Sequence, residues 1–206
     1  MSNVVILANG IYPKHKIPLT ILKNNTQLIC CDGAIIELDK NNITPTIIIG
    51  DCDSINRNLK NKYASILLQI DRQSDSDLEK TLKYCIKEKI NKVNILGFAG
   101  LRDDHFLSNI FLCWEYSQFI EISMNSNFGE FNFIINKSIL NSFIGQQISI
   151  FNKEPNNKIT TNNLKYNLNN STLPHLFSGS SNESLANSIL IETKNNTIMV
   201  YQKYKD

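Results

Sequence analysis

The chain lacks the sequence patterns that mark several large protein classes. It has eight glycines among 206 residues, and neither a GxxxxGK[ST] nor a GxGxxG pattern occurs. A nucleotide site here would therefore be neither a P-loop nor a standard dinucleotide-binding turn. No stretch approaches the roughly 20 apolar residues that a membrane-spanning helix needs, so we expect no membrane segment.

Charge and cysteine content exclude further classes. The net charge is only +2, and no basic block marks a nucleic-acid or anionic-membrane surface, so we expect neither partner. The five cysteines include no CxxC pair, which argues against a structural zinc site or a disulfide framework. This cysteine usage favours a reducing, cytoplasmic location. The N-terminus has no basic region and only a short apolar run, so we expect no signal peptide.

The first part of the chain alternates short apolar runs with helical patterns. Residues 3–8 form a continuous apolar run ended by Asn9 and Gly10, which predicts a buried parallel strand followed by a turn. Similar runs occur at 27–31, 46–50, 65–70 and 92–97. The alternation predicts βαβ units and a mainly parallel sheet.

Apolar residues at helical spacing predict two helices in this part of the chain. The first covers 75–89, and Ser74 or Asp75 would cap its N-terminus. The second runs from about residue 103 to residue 119. Its inward face would hold Phe106, Leu107, Ile110 and Trp114.

The pattern changes after about residue 120. Short β-prone runs follow without long helical patterns, at 120–124, 131–135, 147–151, 164–168, 187–192 and 197–202, and the polar stretch 152–163 is predicted to be a loop. These runs predict an antiparallel all-β unit, either a sandwich or a partly open barrel. We therefore expect two domains, 1–122 and 123–206.

Acidic segments follow four of the predicted strands, at 31–34, 50–54, 73–77 and 100–105. In an open α/β sheet, ligands bind at the carboxyl ends of the strands. Carboxylates gathered there repel one another unless a cation neutralises them, and Mg²⁺ commonly bridges such carboxylates to substrate phosphates. The segments therefore predict metal-assisted chemistry on a phosphorylated nucleotide.

Each of these residues also has a structural interpretation. Asp51 and Asp53 would point the same way in an extended segment and share a metal, or they would form a capped turn. Arg102 could clamp phosphate oxygens. His105 could move a proton, or it could be a capping or packing residue. The segment 178–183 is a polar hairpin loop, or it is a rim of hydroxyl and amide groups for a polar heterocycle.

Three of the segments resemble motifs of the thiamine pyrophosphokinase family. Residues 32–34 resemble its DGGA segment with one glycine missing, and residues 50–54 match GDFDS with cysteine for phenylalanine. Residues 73–80 resemble QxxTDFEK, with serine for threonine and leucine for phenylalanine. Arg72 stands where an aspartate often precedes the glutamine.

Two further segments extend the resemblance over nearly the whole chain. Residues 97–109 resemble GxxGGRxDHxLxN, with Leu101 where a glycine is usual. Residues 164–166 and 181–183 are similar to the C-terminal LKY…SNE pattern. Each motif is degenerate, but five in the right order form a specific pattern.

The resemblance implies an N-terminal Rossmann-like α/β nucleotide domain and a C-terminal antiparallel β-sandwich domain for thiamine binding and dimerisation. It implies a homodimer that transfers the pyrophosphoryl group of ATP to thiamine, giving thiamine diphosphate and AMP with Mg²⁺. Asp51, Asp53, Asp77, Asp104 and Arg102 would be catalytic, and the four aspartates would hold the metal. Asn9, Gly10, Asp32, Gly33, Arg102 and His105 would bind nucleotide, and Gln73, Ser76, Asp77, Ser181 and Asn182 would bind thiamine.

Three other functions are compatible with parts of the pattern. A nucleotide-sugar transferase also uses a DxD motif to hold a metal and a diphosphate, although the small size and the other acidic segments argue against it. A non-catalytic thiamine or nucleotide sensor would gain nothing from crowded carboxylates without a metal. A structural domain with acidic caps would have to tolerate the same repulsion.

Overall fold

The computed structural model describes residues 4–194 and 196–205. The chain divides between Asn127 and Phe128 into two compact units. Neither unit has, within those residues, a helix with the length and apolarity needed to span a membrane.

The first unit contains six strands and five α-helices. Its strands are β1 (Val4–Leu7), β2 (Gln27–Cys31), β3 (Ile47–Gly50), β4 (Leu67–Gln69), β5 (Lys92–Leu96) and β6 (Glu121–Asn125). Its helices are α1 (Lys16–Lys23), α2 (Ile35–Lys40), α3 (Arg57–Lys62), α4 (Asp77–Lys87) and α5 (Asp103–Tyr116). The strands lie in the order β6-β5-β1-β2-β3-β4, and each neighbouring pair is parallel.

The continuous apolar runs of the sequence become the central strands of this sheet. All four residues of β1 are buried, and the register places Val5 between Leu28 of β2 and Asn94 of β5. Side chains on one face of the sheet join a core that includes Leu38 and Tyr63 from the connecting segments. The alternation of strands and helices predicted this parallel arrangement correctly, and the carboxyl ends of the strands consequently lie along one edge.

Both predicted helices form, but two details of them were wrong. The N-cap of α4 is Ser76, whose Oγ accepts a hydrogen bond from the Glu79 N–H at 3.2 Å. Ser74 and Asp75 do not cap the helix, because the Asp75 carboxylate instead pairs with Lys83 at 2.8 Å and accepts from the Ser74 hydroxyl.

The inward face of α5 begins later than the sequence pattern suggested. Leu107, predicted to point inward, is 54% exposed, whereas Ile110, Cys113 and Trp114 are buried. Phe106 is partly buried and its ring stacks on Phe98 at 6.2 Å. Helical spacing gives the direction of a side chain, but it does not give how far along the helix the packing extends.

The second unit contains eight strands in antiparallel pairs. These are β7 (Gly129–Ile134), β8 (Lys137–Asn141), β9 (Gln147–Phe151), β10 (Lys158–Asn162), β11 (Ser171–Thr172), β12 (Gly179–Glu183), β13 (Ser188–Thr193) and β14 (Ile198–Lys203). Their orders are β12-β9-β14-β7 and β11-β10-β13-β8. Inward side chains of both sets, among them Ile150, Ile159 and Ile191, form one apolar core. The predicted antiparallel character of this part is confirmed.

Three local predictions for the later part of the chain were wrong. The run 120–124 corresponds to β6, which pairs in parallel with β5 and belongs to the first unit. The predicted loop 152–163 contains β10, whose few apolar residues hide the alternating burial of Ile159 and Thr161. The run 164–168 forms no strand, because the Asn167 carboxamide oxygen accepts the backbone N–H of Leu164 and closes a turn.

Candidate functional site

A cleft of about 440 Å³ lies in the first unit, where loops follow the carboxyl ends of β1, β3 and β5. The segments that follow those strands line it together with the first turns of α4 and α5. Its lining includes Asn9, Gly10, Asp51, Ser54, Asp75, Ser76, Asp77, Lys80, Leu101, Arg102 and His105. The edge of the sheet that the sequence assigned to ligand binding therefore carries a cavity of ligand size.

Three carboxylates come together beside the cleft. One oxygen from each of Asp32, Asp51 and Asp53 lies within 4.8 Å of the other two. Asp32 is 1% exposed, and its Oδ2 accepts a long hydrogen bond of 3.4 Å from the Ser54 N–H. Its Oδ1 is buried and has no hydrogen-bond partner in the part of the chain that the structure describes. An unpartnered carboxylate oxygen inside an acidic cluster fits a hard divalent cation such as Mg²⁺.

Burial and hydrogen bonding shift the pKa values of two carboxyls in this cluster in opposite directions. Burial raises the pKa of Asp32 above its usual value, and the negative charges of Asp77 and Asp51 add to that shift. The backbone N–H of Asp53 donates to Asp51 Oδ1 at 3.3 Å and lowers the pKa of Asp51, to which the nearby Lys80 ammonium also contributes.

The Asp51-Cys52-Asp53 segment reaches this geometry through a turn. Cys52 has a φ of +66° and is buried, so the segment is not extended as the alternating-side-chain argument assumed. A left-handed residue between the two aspartates sends the Cys52 side chain into the core and leaves both carboxylates near Asp32. Asp51 and Asp53 therefore converge as expected, but through a left-handed turn at Cys52 and not through an extended segment.

Asp77, in the first turn of α4, is paired with a buried lysine. The Lys80 ammonium lies 3.0 Å from Asp77 Oδ1 and 3.6 Å from Asp51 Oδ2, and the Lys80 side chain is only 2% exposed. Burial alone would lower the pKa of Lys80, but the hydrogen bond to Asp77 and the attraction of both carboxylates outweigh it and raise that pKa. Lys80 is therefore a fixed positive charge within the acidic site.

Asp104 is held by Arg102 at the start of α5. The guanidinium donates two hydrogen bonds, from Nε to Oδ1 at 3.0 Å and from the terminal nitrogen to Oδ2 at 2.6 Å. This pairing lowers the pKa of Asp104 to about 2. Of the four predicted metal ligands, Asp51 and Asp53 cluster with Asp32, Asp77 shares the Lys80 ammonium with Asp51, and Asp104 pairs with Arg102.

The predicted nucleotide residues lie on three neighbouring segments. Asn9, Gly10 and His105 line the cleft, and the Gly10 N–H donates to the Gly97 carbonyl at 2.6 Å. A β-carbon on Gly33 would stand 2.6 Å from Asn9 Nδ2, so glycine there lets the Asn9 amide approach the backbone that follows β2.

Two predicted substrate residues, Gln73 and Ser76, lie in the loop before α4. Gln73 donates from Nε2 to Asp51 Oδ2 at 3.4 Å, which connects this loop to the acidic cluster. Asp75 fixes the loop to α4 through Lys83, which also pairs with Glu79 at 2.9 Å.

The other two predicted substrate residues belong to the second unit. Ser181 is exposed, has a φ of +60° and lies where the pairing of β12 with β9 shifts register between Gly179 and Asn182. The Asn182 carboxamide accepts from the Tyr166 N–H at 3.1 Å and donates to the Tyr166 carbonyl at 2.8 Å. Asn182 therefore fixes the backbone of Tyr166, a residue that is itself 66% exposed to solvent.

Sequence reasoning did not assign a role to Lys80, although the residue lies in a recognised segment. Its spacing of three from Asp77 is a signal that was available, because residues i and i+3 face each other on a helix. The sequence alone did not indicate that the Lys80 ammonium is buried, because lysine side chains are rarely buried without a partner. The sequence also could not place Asp32 beside Asp51 and Asp53, because that placement depends on where the neighbouring strands β2 and β3 end.

Two family models match the chain in succession. The model described as thiamin pyrophosphokinase, catalytic domain, matches residues 19–124. The model described as thiamin pyrophosphokinase, substrate-binding domain, matches residues 129–201. The first match alone covers just over half of the chain.

Two individual thiamine pyrophosphokinases are also similar to the chain in sequence. The chain is 31% identical to Thiamin pyrophosphokinase 1 of Caenorhabditis elegans over 91 residues, which are 40% of this chain and 37% of that protein. It is 30% identical to Thiamine pyrophosphokinase of Bacillus subtilis over 121 residues, which are 56% of each. The chain thus spans about half or less of the length of these two relatives.

Solved structures with the same fold extend over the whole chain. The crystal structure of thiamine pyrophosphokinase from Bacillus subtilis superposes with a TM-score of 0.84 at 20% identity, covering 99% of this chain and 100% of that one. Thiamin pyrophosphokinase from Candida albicans gives 0.79 at 14% identity, with coverage of 98% and 90%. The fold matches at these identities, and together with the two family models it confirms the resemblance seen in the motifs: the chain belongs to the thiamin pyrophosphokinase family.

Proposed function

We propose that this protein transfers the pyrophosphoryl group of ATP to the hydroxyl of thiamine, giving thiamine diphosphate and AMP, in a reaction that depends on Mg²⁺. In this transfer the hydroxyl oxygen bonds to the β-phosphorus, the bond from that phosphorus to the α–β bridging oxygen breaks, and AMP leaves. Membership of the family supports this activity. Within the structure, the observation that carries it is the buried, unpartnered Oδ1 of Asp32 beside Asp51 and Asp53.

The acidic cluster would hold the metal. We assign Asp32, Asp51 and Asp53 as ligands, because their oxygens already lie within 4.8 Å of one another. Mg²⁺ bound there would neutralise the carboxylates and polarise phosphoryl oxygens of the nucleotide.

Arg102 would contact the transferred phosphates from the cleft wall, and Lys80, held between Asp51 and Asp77, would add positive charge beside the acidic cluster. The two hydrogen bonds that Arg102 donates to the Asp104 carboxylate fix the plane of its guanidinium at the cleft wall. A guanidinium fixed in this way can stabilise negative charge that moves toward the leaving AMP without reorganising. Asn9, Gly10, Gly33 and His105 would complete the nucleotide site.

One carboxylate near the cleft would accept the proton of the thiamine hydroxyl. Asp77 lines the cleft, whereas both oxygens of Asp104 accept hydrogen bonds from Arg102, which lowers the pKa of Asp104 to about 2 and makes it a poor base. We therefore assign proton acceptance to Asp77, with Gln73 and Ser76 from the preceding loop close to the substrate.

Ser181 and Asn182 would serve thiamine from the second unit. The bulge at Ser181 exposes its hydroxyl, and β-bulges often re-aim a side chain at a functional site. Because the Asn182 amide is occupied by the Tyr166 backbone, we assign Asn182 a supporting role and leave direct contact to Ser181 and the Tyr166 ring. An aromatic face suits a cationic substrate.

The finer architecture and assembly follow the family. We propose that the first unit, predicted as residues 1–122 but extending to Asn127, is a Rossmann-like nucleotide domain. The second unit, predicted as residues 123–206, would be a β-sandwich domain for thiamine binding and dimerisation. The protein would act as a homodimer in the cytoplasm. The parallel order of β1 to β6 and the two antiparallel strand sets with one core support the two-domain description.

The activity is tested by incubating the purified protein with ATP, Mg²⁺ and thiamine and separating the products by chromatography. We expect AMP and thiamine diphosphate in equal amounts, both lost on adding EDTA. ADP with thiamine monophosphate would instead mean ordinary kinase chemistry. Saturable thiamine binding without product would mean a sensor and would overturn the proposal.

A further inference from the structure

We propose that Lys80 occupies the position of a second cation, so that the protein binds one divalent ion per chain in the absence of nucleotide. The inference rests on the metal-dependent activity proposed above and adds the number of ions and the residue that sets it. Some acidic side chains around the cleft pair with cationic side chains, and others lie together.

The carboxylates around the cleft fall into two groups. Asp32, Asp51 and Asp53 lie together, and the Asp32 carboxylate keeps a buried oxygen without a partner among the described residues. Asp77 and Asp104 each face a positively charged side chain, Lys80 at 3.0 Å and Arg102 at 2.6 Å. Among the described residues, only the first group contains a buried carboxylate oxygen without a hydrogen-bond partner.

Lys80 is built into this position. Its side chain is 2% exposed, and its ammonium lies between Asp77 Oδ1 at 3.0 Å and Asp51 Oδ2 at 3.6 Å. A buried ammonium is costly unless carboxylates neutralise it, and these two carboxylates do so. Asp51 therefore belongs to both groups, with the Asp32 cluster on one side and the lysine on the other.

The same space would suit a metal if the lysine were absent. Enzymes that transfer phosphoryl groups with two metals place the ions about 3.5–4 Å apart and share a carboxylate between them. Here Asp51 is the shared carboxylate, and a covalently attached ammonium takes the second position. Without that charge, Asp51 and Asp77 would form a pair of unneutralised carboxylates next to the first metal.

The test counts bound ions without measuring turnover. Mn²⁺, which prefers the same oxygen ligands, is titrated into the nucleotide-free protein, and free Mn²⁺ is followed by electron paramagnetic resonance. We expect one ion per chain for the wild type and for Lys80→Arg, which keeps the charge. We expect a second ion for Lys80→Met, which keeps the length of the side chain and removes the charge.

Lys83 supplies a matched control on the same helix. It also pairs with two carboxylates, Asp75 at 2.8 Å and Glu79 at 2.9 Å, but those carboxylates lie outside the Asp32 cluster. Lys83→Met should therefore bind one ion. If Lys80→Met does not fold, Lys80→Gln removes the same charge with a shorter polar side chain and should also bind two.

Two ions in the wild type, or one ion in both neutral Lys80 variants, would overturn the inference. No saturable binding by the wild type would overturn it as well. These outcomes are separate from failure of the proposed function, because the chromatographic assay reports turnover independently of the number of ions bound without nucleotide.

Discussion

A β-carbon placed on Gly50 would stand 2.6 Å from the Cβ of Asp32 and 3.1 Å from Asp77 Oδ1. Glycine at the end of β3 therefore allows the Asp32 side chain to lie against the neighbouring strand. Because the clash involves the Cβ of Asp32, no rotation of the carboxylate can relieve it.

We therefore expect Gly50→Ala to displace Asp32 and weaken metal binding. The variant should lose about 1–3 kcal/mol of stability through overpacking and bind Mn²⁺ at least tenfold more weakly. Thermal unfolding and a Mn²⁺ titration measure the two effects. Gly145→Ala is a control, because its φ of +87° makes alanine strained while nothing lies within 4 Å of the new methyl group. That control should lose stability but keep its Mn²⁺ affinity; an unchanged affinity in Gly50→Ala would contradict the argument.

Asp32→Asn should stabilise the protein in the absence of metal. The substitution removes a buried charge whose Oδ1 has no partner among the described residues and which Asp51 and Asp77 repel. A gain of about 1–3 kcal/mol is expected from the cost of such a group, which corresponds to a few degrees in the unfolding midpoint. Added Mg²⁺ should raise the midpoint of the wild type and not that of the variant. A lower midpoint in Asp32→Asn without metal would contradict this view of the cluster.

Asp51→Asn should remove turnover while the protein stays folded. Asp51 belongs to the acidic cluster with Asp32 and Asp53 and also contacts Lys80 and Gln73. Its replacement therefore affects both the proposed metal site and the ion pair with Lys80. We expect kcat to fall by about 10²-fold or more, in keeping with the several kcal/mol that a metal contributes to such chemistry. Glu121→Gln on β6 breaks an exposed ion pair with Lys92 of β5 and should leave kcat unchanged. Wild-type turnover in Asp51→Asn would remove the proposed metal site.

Ser181 and Asn182 should affect thiamine through different routes. Ser181→Ala should raise KM for thiamine more than KM for ATP, with little change in stability, because the hydroxyl is exposed. Asn182→Ala should raise the same KM and also lower stability by about 1–3 kcal/mol, since two hydrogen bonds to the Tyr166 backbone are lost. Steady-state kinetics with each substrate varied in turn separates the effects. A larger change in KM for ATP would mean that the two substrate sites have been exchanged.

Glu130, on β7, should make the stability of the protein depend on pH. Burial raises the pKa of its carboxyl, and a hydrogen bond from Asn132 offsets this only in part. Because the folded state holds the proton more tightly than the unfolded state, whose pKa is about 4.3, the wild type loses stability as pH rises from that value through the raised pKa.

Glu130→Gln should therefore be more stable than the wild type at pH 7, and the two should converge below about pH 4. Urea unfolding at both pH values measures the difference. Glu192→Gln is a control on β13, because the half-buried Glu192 faces Lys137 at 3.8 Å in an ion pair that should contribute little to stability. Equal stability of Glu130→Gln and wild type at pH 7 would contradict the prediction.

Much of the first unit could be predicted from its sequence because buried parallel strands leave continuous apolar runs. The run 27–31 coincides with β2, and the acidic residues after β2 and β3 meet because parallel strands end at one edge. The second unit was harder, because β10, β11 and β12 are partly exposed and carry few apolar residues. In β10, only Ile159 and Thr161 point inward, and the polar neighbours conceal that alternation.

The pairing of charges within the site could not be predicted in the same way. Asp77 and Asp104 both lie in the first turns of their helices, α4 and α5, and both resemble metal ligands in sequence. Their partners differ because Lys80 is one turn further along α4, whereas Arg102 directly precedes α5. Distances of this kind depend on rotamers and burial, which sequence spacing does not fix.

The turn at Cys52 restricts which sequences can occupy the centre of this site during evolution. A φ of +66° favours glycine or asparagine, whereas the buried position of the side chain favours an apolar residue. Glycine would leave a cavity, asparagine would bury an amide, and valine or isoleucine would resist the backbone angle. Few amino acids should therefore be tolerated at position 52 during evolution, even though its side chain points away from the acidic cluster. A saturation library at this position should recover few functional replacements.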